Sequence, residues 1–304
     1  MAWLIYALGG GWGHLVRAVA ISKVLDPSIP VHILTNSPHW QKIRVYTQNF
    51  PWMSIHAVTK SNIHDFSNYW QSLFRKYQFQ LLIVDTFPRG LMGELVDNLP
   101  RTIPKILLAR DLHPEYVAKF NLATFIQANY DLVIPVEPVD YLGIEPVQGK
   151  IVICNPQELI PASQARQILG LANTKKPIVL VCPSGNPQEV AWFREQSLYW
   201  QNQFPNYYFL TADYFPLMYL YLAIDAVIGS GGYNTIAECV SLNIPLFAVA
   251  LPRLYDRQAL RIQRHLEQQV YPLSAFPRDL VPKQKNATFR NGAIAVPELI
   301  RKHF

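Results

Sequence analysis

A glycine-rich turn near the start of the chain reads ALGGGWGH, at residues 7–14. It follows a short apolar run at residues 3–6 and precedes a helical pattern at residues 15–25, which the pair Asp26-Pro27 ends. Glycine at this density allows a tight turn in which the backbone comes very close to another group. The stretch therefore predicts a strand, a turn at a ligand site and a helix.

Two familiar phosphate-binding motifs do not fit this turn. No Gly-Lys-Ser/Thr follows, so the lysine and hydroxyl of a P-loop are missing. The third glycine of the dinucleotide fingerprint is missing too, and the second apolar run ends in Thr35-Asn36 rather than in an acid for a ribose. A nicotinamide cofactor is therefore disfavoured.

His14 lies in the first turn of the predicted helix. The positive end of a helix lowers the pKa of an imidazole, which favours the neutral form that serves as a base. The alternative is a histidine that only caps the helix beside a tight turn.

Short apolar runs alternate with helical patterns, as in parallel α/β sheets buried on both faces. The runs occupy residues 3–8, 31–35, 81–85, 105–109 and 132–135, and then 178–182, 207–210, 226–228 and 246–249. The two series separate near residues 155–176. We therefore predict two Rossmann-like domains that face each other across a cleft, at residues 1–156 and 157–304, with ligands at the carboxyl ends of the strands.

Composition agrees with two ordinary domains, since the chain has 304 residues, of which 50% are hydrophobic and 16% charged. The net charge of +6 suits a phosphate-bearing ligand or an anionic membrane face. The three cysteines form no metal-binding or disulfide pattern, and the opening residues show no leader with a cleavage site. The most apolar stretch, residues 214–228, is too short to span a bilayer. We expect a cytoplasmic protein.

A second glycine turn reads IGSGGYNTIAEC, at residues 228–239. A strand that enters Gly-Ser-Gly-Gly and then a helix directs free N–H groups at a ligand, as in a cradle for a diphosphate. Glu238 allows two interpretations. Thr235-x-x-Glu238 is a capping-box pattern; if the helix begins near Gly232 instead, Glu238 lies deeper in the helix and could accept hydrogen bonds from a ribose.

A polar cluster follows the next strand, in the stretch PRLYDRQ at residues 252–258. Asp256 and Gln258 could bind sugar hydroxyls there. The alternative is a solvated loop that enters a helix at residues 257–267.

Together, GGGWGHLVRAVAISKVL, the ICNP hinge and GSGGYNTIAECVSLNIPLFAVALPRLYDRQ, in this order, resemble nucleotide-sugar glycosyltransferases of the GT-B fold. The most similar group is family 28, which includes the transferase that adds N-acetylglucosamine to the peptidoglycan lipid precursor and the galactolipid synthases. The resemblance covers most of the chain and is strongest at residues 8–25 and 226–260. The loop Pro183-Ser184-Gly185-Asn186 departs from the family's Gly-Gly-Ser type, and Gln258-Ala259 replaces a pair of glutamines.

The resemblance implies a donor whose diphosphate binds to the second domain, with Glu238 on the ribose and Asp256 and Gln258 on the donor sugar. His14 and its glycines would face the reacting carbon. The residues expected to bind substrate are Gly10, Gly11, Gly13, Ser184, Gly185, Ser230, Gly231, Gly232, Asn234, Glu238, Asp256 and Gln258.

Two aspartates that follow strands of the first domain are alternative candidates for the catalytic base. Asp85 and Asp111 each need only lie within hydrogen-bond reach of the acceptor hydroxyl, although either could simply cap a loop or helix. Arg89 and Arg110 are candidates for binding an acceptor phosphate.

Residues 40–79 mix aromatic side chains with basic ones, as a surface at a membrane interface does. The alternative is that the rings fill the core. The aromatic residues are Trp40, Tyr46, Phe50, Trp52, Phe66, Tyr69, Trp70, Phe74, Tyr77 and Phe79. No nucleic-acid-binding module is recognisable.

With this resemblance, we expect an inverting glycosyltransferase that uses a UDP-linked sugar as co-substrate, with no other cofactor. No Asp-x-Asp pair occurs, so we expect no metal on the diphosphate and stabilisation of the leaving group by N–H groups and a helix dipole. The acceptor stays open, with a lipid at the inner membrane face as one option. The alternatives are an epimerase on the same fold and a non-catalytic protein that binds nucleotide sugars.

Overall fold

The computed structural model describes residues 2–59, 65–212, 214–281 and 283–304. The chain forms two compact units, one of residues Met1–Ile151 with Gly292–Phe304 and one of Val152–Asn291. The change of unit lies five residues before the predicted boundary at 156/157, and the last segment returns to the first unit, since Gly292 N donates to the Lys150 carbonyl (2.9 Å).

The first unit contains a six-stranded parallel sheet with strand order β3-β2-β1-β4-β5-β6. This order is that of a Rossmann sheet, with β1 and β4 at its centre. The strands are β1 Ala2–Tyr6, β2 Val31–Thr35, β3 Met53–Ala57, β4 Phe79–Asp85, β5 Lys105–Ala109 and β6 Leu132–Pro135.

Helices lie between most of these consecutive strands, and β4 and β5 are joined by a segment of turns at residues 86–104. The helices are α1 Trp12–Lys23, α2 Trp40–Thr47, α3 Phe66–Tyr77, α4 Pro114–Lys119 and α5 Leu122–Asn129. A short 3₁₀ turn, Gly292–Ile294, leads into the C-terminal helix Ala295–His303, which packs on β6 through its buried residues Val296 and Ile300.

The second unit contains a five-stranded parallel sheet with strand order β11-β10-β9-β7-β8. Its strands are β7 Ile178–Val181, β8 Tyr208–Leu210, β9 Ala226–Ser230, β10 Leu246–Val249 and β11 Val270–Pro272. Its helices are α6 Ala162–Ile168, α7 Pro187–Gln203, α8 Tyr233–Leu242 and α9 Gln258–Arg264, with 3₁₀ turns at Pro156–Glu158, Leu217–Ala223, Leu266–Gln268 and Leu273–Ala275. The prediction of two Rossmann-like α/β domains is confirmed.

Apolar residues on both faces of the central strands form the two cores, because helices cover both faces of each sheet. In the first unit the strand residues Leu4, Ile5 and Tyr6 are fully buried, and in the second Val179 and Val227 are. Each glycine turn follows one of these buried central strands, which fixes its position at the carboxyl edge of the sheet.

Three of the ten aromatic residues in the 40–79 segment fill the core, as the core-filling alternative predicted, and the others are partly accessible. Phe66, Trp70 and Phe79 are buried, and the other seven are half-buried, so none of the ten is an exposed side chain. The rings of Phe66 and Trp70 contact Tyr6 of β1 edge-on. Lys60, one of the basic residues of this segment, lies outside the described residues. Among the described helices, none is long and apolar enough to cross a membrane.

Candidate functional site

In the first glycine turn, three backbone amides already have hydrogen-bond acceptors within the protein. The N–H groups of Gly9 and Gly10 both donate to the side-chain oxygen of Asn36, at 2.8 and 3.0 Å, and Gly11 N donates to the Gly9 carbonyl at 2.9 Å. Asn36, which follows β2, thereby fixes the turn. The amides of these three glycines are satisfied inside the protein, so the value of the turn to a ligand lies in its lack of side chains.

That lack of side chains has two distinct causes along the turn. A Cβ at Gly10, Gly11 or Gly13 would meet no atom within 4 Å, so these positions border open space. Gly10 also adopts a φ of +68°, which favours glycine. A Cβ at Gly9, in contrast, would lie 1.9 Å from Cδ2 of His14. Gly9 is therefore the surface against which the His14 ring packs.

His14 forms a hydrogen-bonded pair with Asp85, the last residue of β4. His14 Nδ1 lies 2.6 Å from Asp85 Oδ2, and the Phe87 ring stacks against the imidazole at a centroid distance of 5.5 Å. The sequence proposed these two residues as alternative bases, and the structure brings them together as partners. Because the carboxylate accepts a hydrogen bond from Nδ1–H, the neutral imidazole carries its lone pair on Nε2.

Arg17, one turn after His14 on α1, holds the other side of the Asp85 carboxylate. Its Nε donates to Oδ1 and its Nη2 to Oδ2, both at 2.7 Å, and Nη2 also donates to Thr86 Oγ1 at 3.1 Å. Arg17 and Asp85 are essentially inaccessible, with 1% and 0% of their side chains exposed. Thr86 has a φ of +72°, an unusual conformation for a β-branched residue. The structure thus strains one residue beside a buried ion pair that orients His14.

Burial sets the protonation of this group. It lowers the pKa of His14 below its ordinary 6.5, against the hydrogen bond and charge of Asp85, which raise it. For Asp85, burial raises the pKa, but the charge of Arg17 and the hydrogen bond from His14 outweigh it, so the pKa lies below its ordinary 3.8. A buried aspartate therefore stays ionised beside a neutral histidine that keeps 13% of its side chain exposed.

Asp111, the third candidate base, is buried after β5. Its backbone N–H lies 3.3 Å from Glu137 Oε1, which also accepts a hydrogen bond from Arg110 Nε at 2.9 Å. Arg110, which the sequence proposed for an acceptor phosphate, therefore has a carboxylate partner. Its charge contributes to lowering the pKa of His14.

In the second unit, β9 ends at Ser230 and Gly232 is the N-cap residue of α8. Ser230 Oγ lies 2.8 Å from Ser184 Oγ in the turn after β7. A Cβ at Gly231 would lie 2.8 Å from Cδ1 of Ile262 in α9, so this glycine is required by packing. The first turn of α8, with Asn234, presents backbone amides at the same edge as the two serines, as an anion site needs.

Glu238 is not part of a capping box. Because α8 begins at Tyr233, Thr235 lies inside the helix, and the capping-box interpretation is wrong. Burial raises the pKa of Glu238 to about 7, although a hydrogen bond with Tyr221 lowers it in part. The Tyr221 hydroxyl also lies 3.8 Å from Cys182 Sγ. Burial thus makes the Glu238 carboxyl easier to protonate than an ordinary glutamate.

Asp256 and Gln258 both have partners within the second unit. Asp256 Oδ1 accepts a hydrogen bond from Arg261 Nη2 at 2.6 Å, and Arg261 Nη1 donates to the Gly231 carbonyl at 3.1 Å. Gln258 is buried, and its Oε1 accepts a hydrogen bond from Leu251 N at 3.0 Å. These contacts connect the turns after β9 and β10. Asp256 and Gln258 therefore stabilise the backbone at the carboxyl edge of the second sheet.

Glu189 and Arg253 meet beside the turn after β7, a contact that the sequence did not indicate. Asn186 caps α7 in a reciprocal capping box with Glu189, and Glu189 also forms a two-pronged ion pair with Arg253, at 2.7 and 2.9 Å. Gly185 has a φ of +113°, and a Cβ there would lie 2.0 Å from Glu189 Oε2 and 2.9 Å from Arg253 Nη2. Arg253, from the turn after β10, thereby lies directly beside the predicted phosphate ligands Ser184 and Gly185.

No metal cluster is evident in the part of the chain that the structure describes, since no three histidine, cysteine or acidic side chains converge there.

Solved structures share this fold across nearly the whole chain. A UDP-GlcNAc 2-epimerase from Neisseria meningitidis bound to UDP-GlcNAc is 10% identical, with 99% of this chain and 100% of that chain covered and a TM-score of 0.62. MurG of Acinetobacter baumannii is 15% identical, with 99% of each chain covered and a TM-score of 0.56. The spinosyn rhamnosyltransferase SpnG complexed with thymidine diphosphate is 14% identical, with 100% and 96% covered and a TM-score of 0.56.

No protein-family model and no curated protein matches the sequence. The structural similarity shows the fold: two parallel-sheet Rossmann-like domains, as in GT-B glycosyltransferases. The neighbours are mostly glycosyltransferases. At these identities the chemistry must be argued from the site itself.

Proposed function

We propose that the protein is a glycosyltransferase that takes its sugar from a nucleoside diphosphate sugar and uses His14 as the catalytic base. The observation that carries this proposal is the buried Arg17–Asp85–His14 chain of hydrogen bonds. It holds an imidazole in one orientation, keeps it neutral and leaves Nε2 beside a turn without side chains. A histidine that only caps a helix needs none of this support.

In the proposed reaction, the acceptor hydroxyl transfers its proton to His14 Nε2 while its oxygen attacks the anomeric carbon of the donor sugar. The bond from that carbon to the diphosphate breaks, and the nucleoside diphosphate leaves with the electron pair. Asp85 stays ionised and stabilises the imidazolium that forms. One displacement inverts the anomeric centre.

The second unit supplies the donor site in this proposal. The amides at the start of α8, with Gly231, Gly232 and the serine pair, would bind the diphosphate and stabilise the charge that develops on it. Glu238 would bind the ribose and Asp256 the donor sugar. Gln258 would support the site without touching the sugar through its carbonyl oxygen, because that oxygen already accepts a hydrogen bond from Leu251 N.

The resemblance of residues 8–25 and 226–260 to family 28 favours a UDP-linked sugar. The lack of an Asp-x-Asp pair favours a reaction without metal on the diphosphate.

The test is incubation of the full chain with a panel of nucleoside diphosphate sugars, with and without mixed acceptors, followed by mass and NMR analysis of the products. Release of nucleoside diphosphate together with a glycosylated acceptor supports the proposal, and the His14→Asn variant should lose it. A sugar released as its C2 epimer would point to an epimerase. Donor binding without any turnover would point to a non-catalytic binding protein.

A further inference from the structure

Arg89 lies in a well-fixed turn directly after β4. Gly90 N donates to the Phe87 carbonyl at 2.9 Å, Leu95 N donates to the Arg89 carbonyl at 3.0 Å, and the Tyr130 hydroxyl donates to the Pro88 carbonyl at 2.6 Å. The backbone of the turn is therefore held on three sides. These backbone hydrogen bonds, rather than an ion pair of the side chain, fix where Arg89 lies.

The guanidinium of Arg89 lies on aromatic rings. Its Cζ is 4.4 Å from the ring centre of Phe120 and 5.6 Å from that of Phe125. Its Nε is buried without a hydrogen-bond partner. Among the described residues, none forms an ion pair with Arg89. A buried N–H of a cation that lacks an acceptor destabilises the protein, and native proteins rarely keep one without a reason.

A second cation shares the same ring. Lys119 Nζ, at the end of α4, lies 5.4 Å from the ring centre of Phe120. Two positive charges on one ring repel each other, and the acids near them in sequence have other partners or positions. Asp85, four residues before Arg89, is bound by His14 and Arg17. Glu94 in the same loop accepts hydrogen bonds from the amide of Met92 and the hydroxyl of Tyr6, and Glu115 lies one turn before Lys119 on an exposed face. An added anion would relieve this repulsion.

We propose that Arg89 and Lys119, which both lie near the Phe120 ring, form a binding site for a phosphate-type anion. A planar guanidinium on an aromatic face offers parallel N–H donors to two phosphate oxygens, while the lysine adds a point charge. The residue Arg89 as a whole is only half-buried, so part of it is accessible from solvent.

The position of the site suggests which molecule carries the anion. Asp85 and Phe87 contact His14, and Arg89 follows them in the same turn. A ligand bound at Arg89 would have its next groups close to the proposed base. We therefore assign the anion to the acceptor, which would carry a phosphate as well as the reacting hydroxyl. This assignment to the acceptor rests on the proposed function, whereas the anion site does not.

The test uses the buried Nε–H of Arg89 as a reporter. The full chain is labelled with ¹⁵N at arginine Nε, and the Arg89 signal is identified by its loss in Arg89→Lys. UDP is added first to saturate a donor site, and inorganic phosphate is then titrated. We expect the Arg89 signal to move in a saturable way. Lys119→Gln, which keeps the reporter, should weaken phosphate binding by about tenfold, and Arg101→Lys, at an exposed arginine of the same unit, should leave it unchanged.

A second arm separates a lipid phosphate from a free one. The full chain is sedimented with phosphatidylcholine vesicles that contain phosphatidylglycerol, and wild type is compared with Arg89→Lys. Binding that depends on Arg89 in either arm supports the site. The arm in which it occurs shows whether the site takes a free phosphate or the phosphate of a lipid. If the signal does not move with phosphate and vesicle binding does not depend on Arg89, the proposal is overturned.

The two proposals fail separately. If the protein binds no nucleoside diphosphate but Arg89 still responds to phosphate, the donor site is wrong and the anion site stands. If UDP binds but no anion reaches Arg89, only the anion site is wrong.

Discussion

Gly9 and His14 are in direct contact: a single methyl group on Gly9 would lie 1.9 Å from Cδ2 of the imidazole. Of the four glycines in the turn, Gly9 is the one whose missing side chain makes room for the proposed base rather than for a ligand. Asn36 holds the Gly9 amide at the same time. The position of His14 is therefore fixed from two sides, by Asp85 through a hydrogen bond and by Gly9 through contact.

Gly9→Ala should displace the His14 ring and lower the free energy of unfolding by about 1–3 kcal/mol. Gly13→Ala is the matched variant, because a Cβ there meets nothing within 4 Å and alanine favours the helix by up to about 1 kcal/mol. Thermal unfolding of both variants measures the difference. Equal stability of the two would mean that His14 moves aside at no cost.

Asp85→Asn should reduce turnover by about 10²- to 10⁴-fold while the affinity for UDP changes little. The amide cannot accept the Nδ1–H and the Arg17 pair as the carboxylate does, whereas the proposed donor site lies in the other unit. Asp97→Asn, at an exposed aspartate of the same unit, serves as the control. Parallel losses of kcat and of UDP affinity would show that Asp85 supports the fold and not the base.

The titration of His14 can be followed by NMR through its Cε1–H signal, assigned with His14→Asn. Burial lowers the pKa of His14, so the midpoint should lie below the ordinary 6.5. Asp85 raises this pKa in the wild type, so Asp85→Asn should move the midpoint further down. Below pH 6.5 the unfolded chain binds a proton that the folded chain resists, and stability should fall there. A midpoint above 6.5 would contradict the account.

Glu238 should make stability depend on pH in the opposite direction. Burial raises its pKa from the ordinary 4.5 to about 7, so the folded chain holds a proton that the unfolded chain has lost between these values. Stability should therefore fall as pH rises from 4.5 to 7, by on the order of 3 kcal/mol at most. Glu238→Gln should remove this loss, and chemical unfolding at pH 5 and pH 8 measures it.

The same residue separates two modes of nucleotide recognition. Glutamine keeps the size and one hydrogen-bonding oxygen of Glu238, so Glu238→Gln should keep UDP binding within several-fold, whereas Glu238→Ala should weaken it by about tenfold or more. Unchanged binding in the alanine variant would exclude Glu238 from the ribose site.

The sequence was sufficient for the central strands and for the two glycine turns, because buried parallel strands are short apolar runs. It did not reveal β3 or β11, which lie at the sheet edges. The β3 residues Ser54 and His56 are exposed and half-buried, so this strand has no continuous apolar pattern. The other two edge strands, β6 and β8, do have short apolar runs and were predicted. A strand that lacks such a run lacks the pattern on which the prediction depended.

The sequence indicated which residues lie at the strand ends better than it indicated which of them pair with each other. His14 and Asp85 are separated by 71 positions, and the sequence offered them as rivals rather than as a pair. The ion pair of Glu189 with Arg253 joins turns 64 positions apart and was missed, although Asn186-x-x-Glu189 has the spacing of a capping box. Contacts between separate strand ends depend on strand order, which periodicity does not give.

The most direct measurement for the account is calorimetry of UDP, GDP, dTDP, CDP and ADP on the full chain without added metal, repeated with Glu238→Ala. The account predicts selective binding of UDP that the variant loses, since the second unit is proposed to hold the ribose and the diphosphate. Binding of none of the five nucleotides, or binding that Glu238→Ala leaves unchanged, would contradict the proposed donor site.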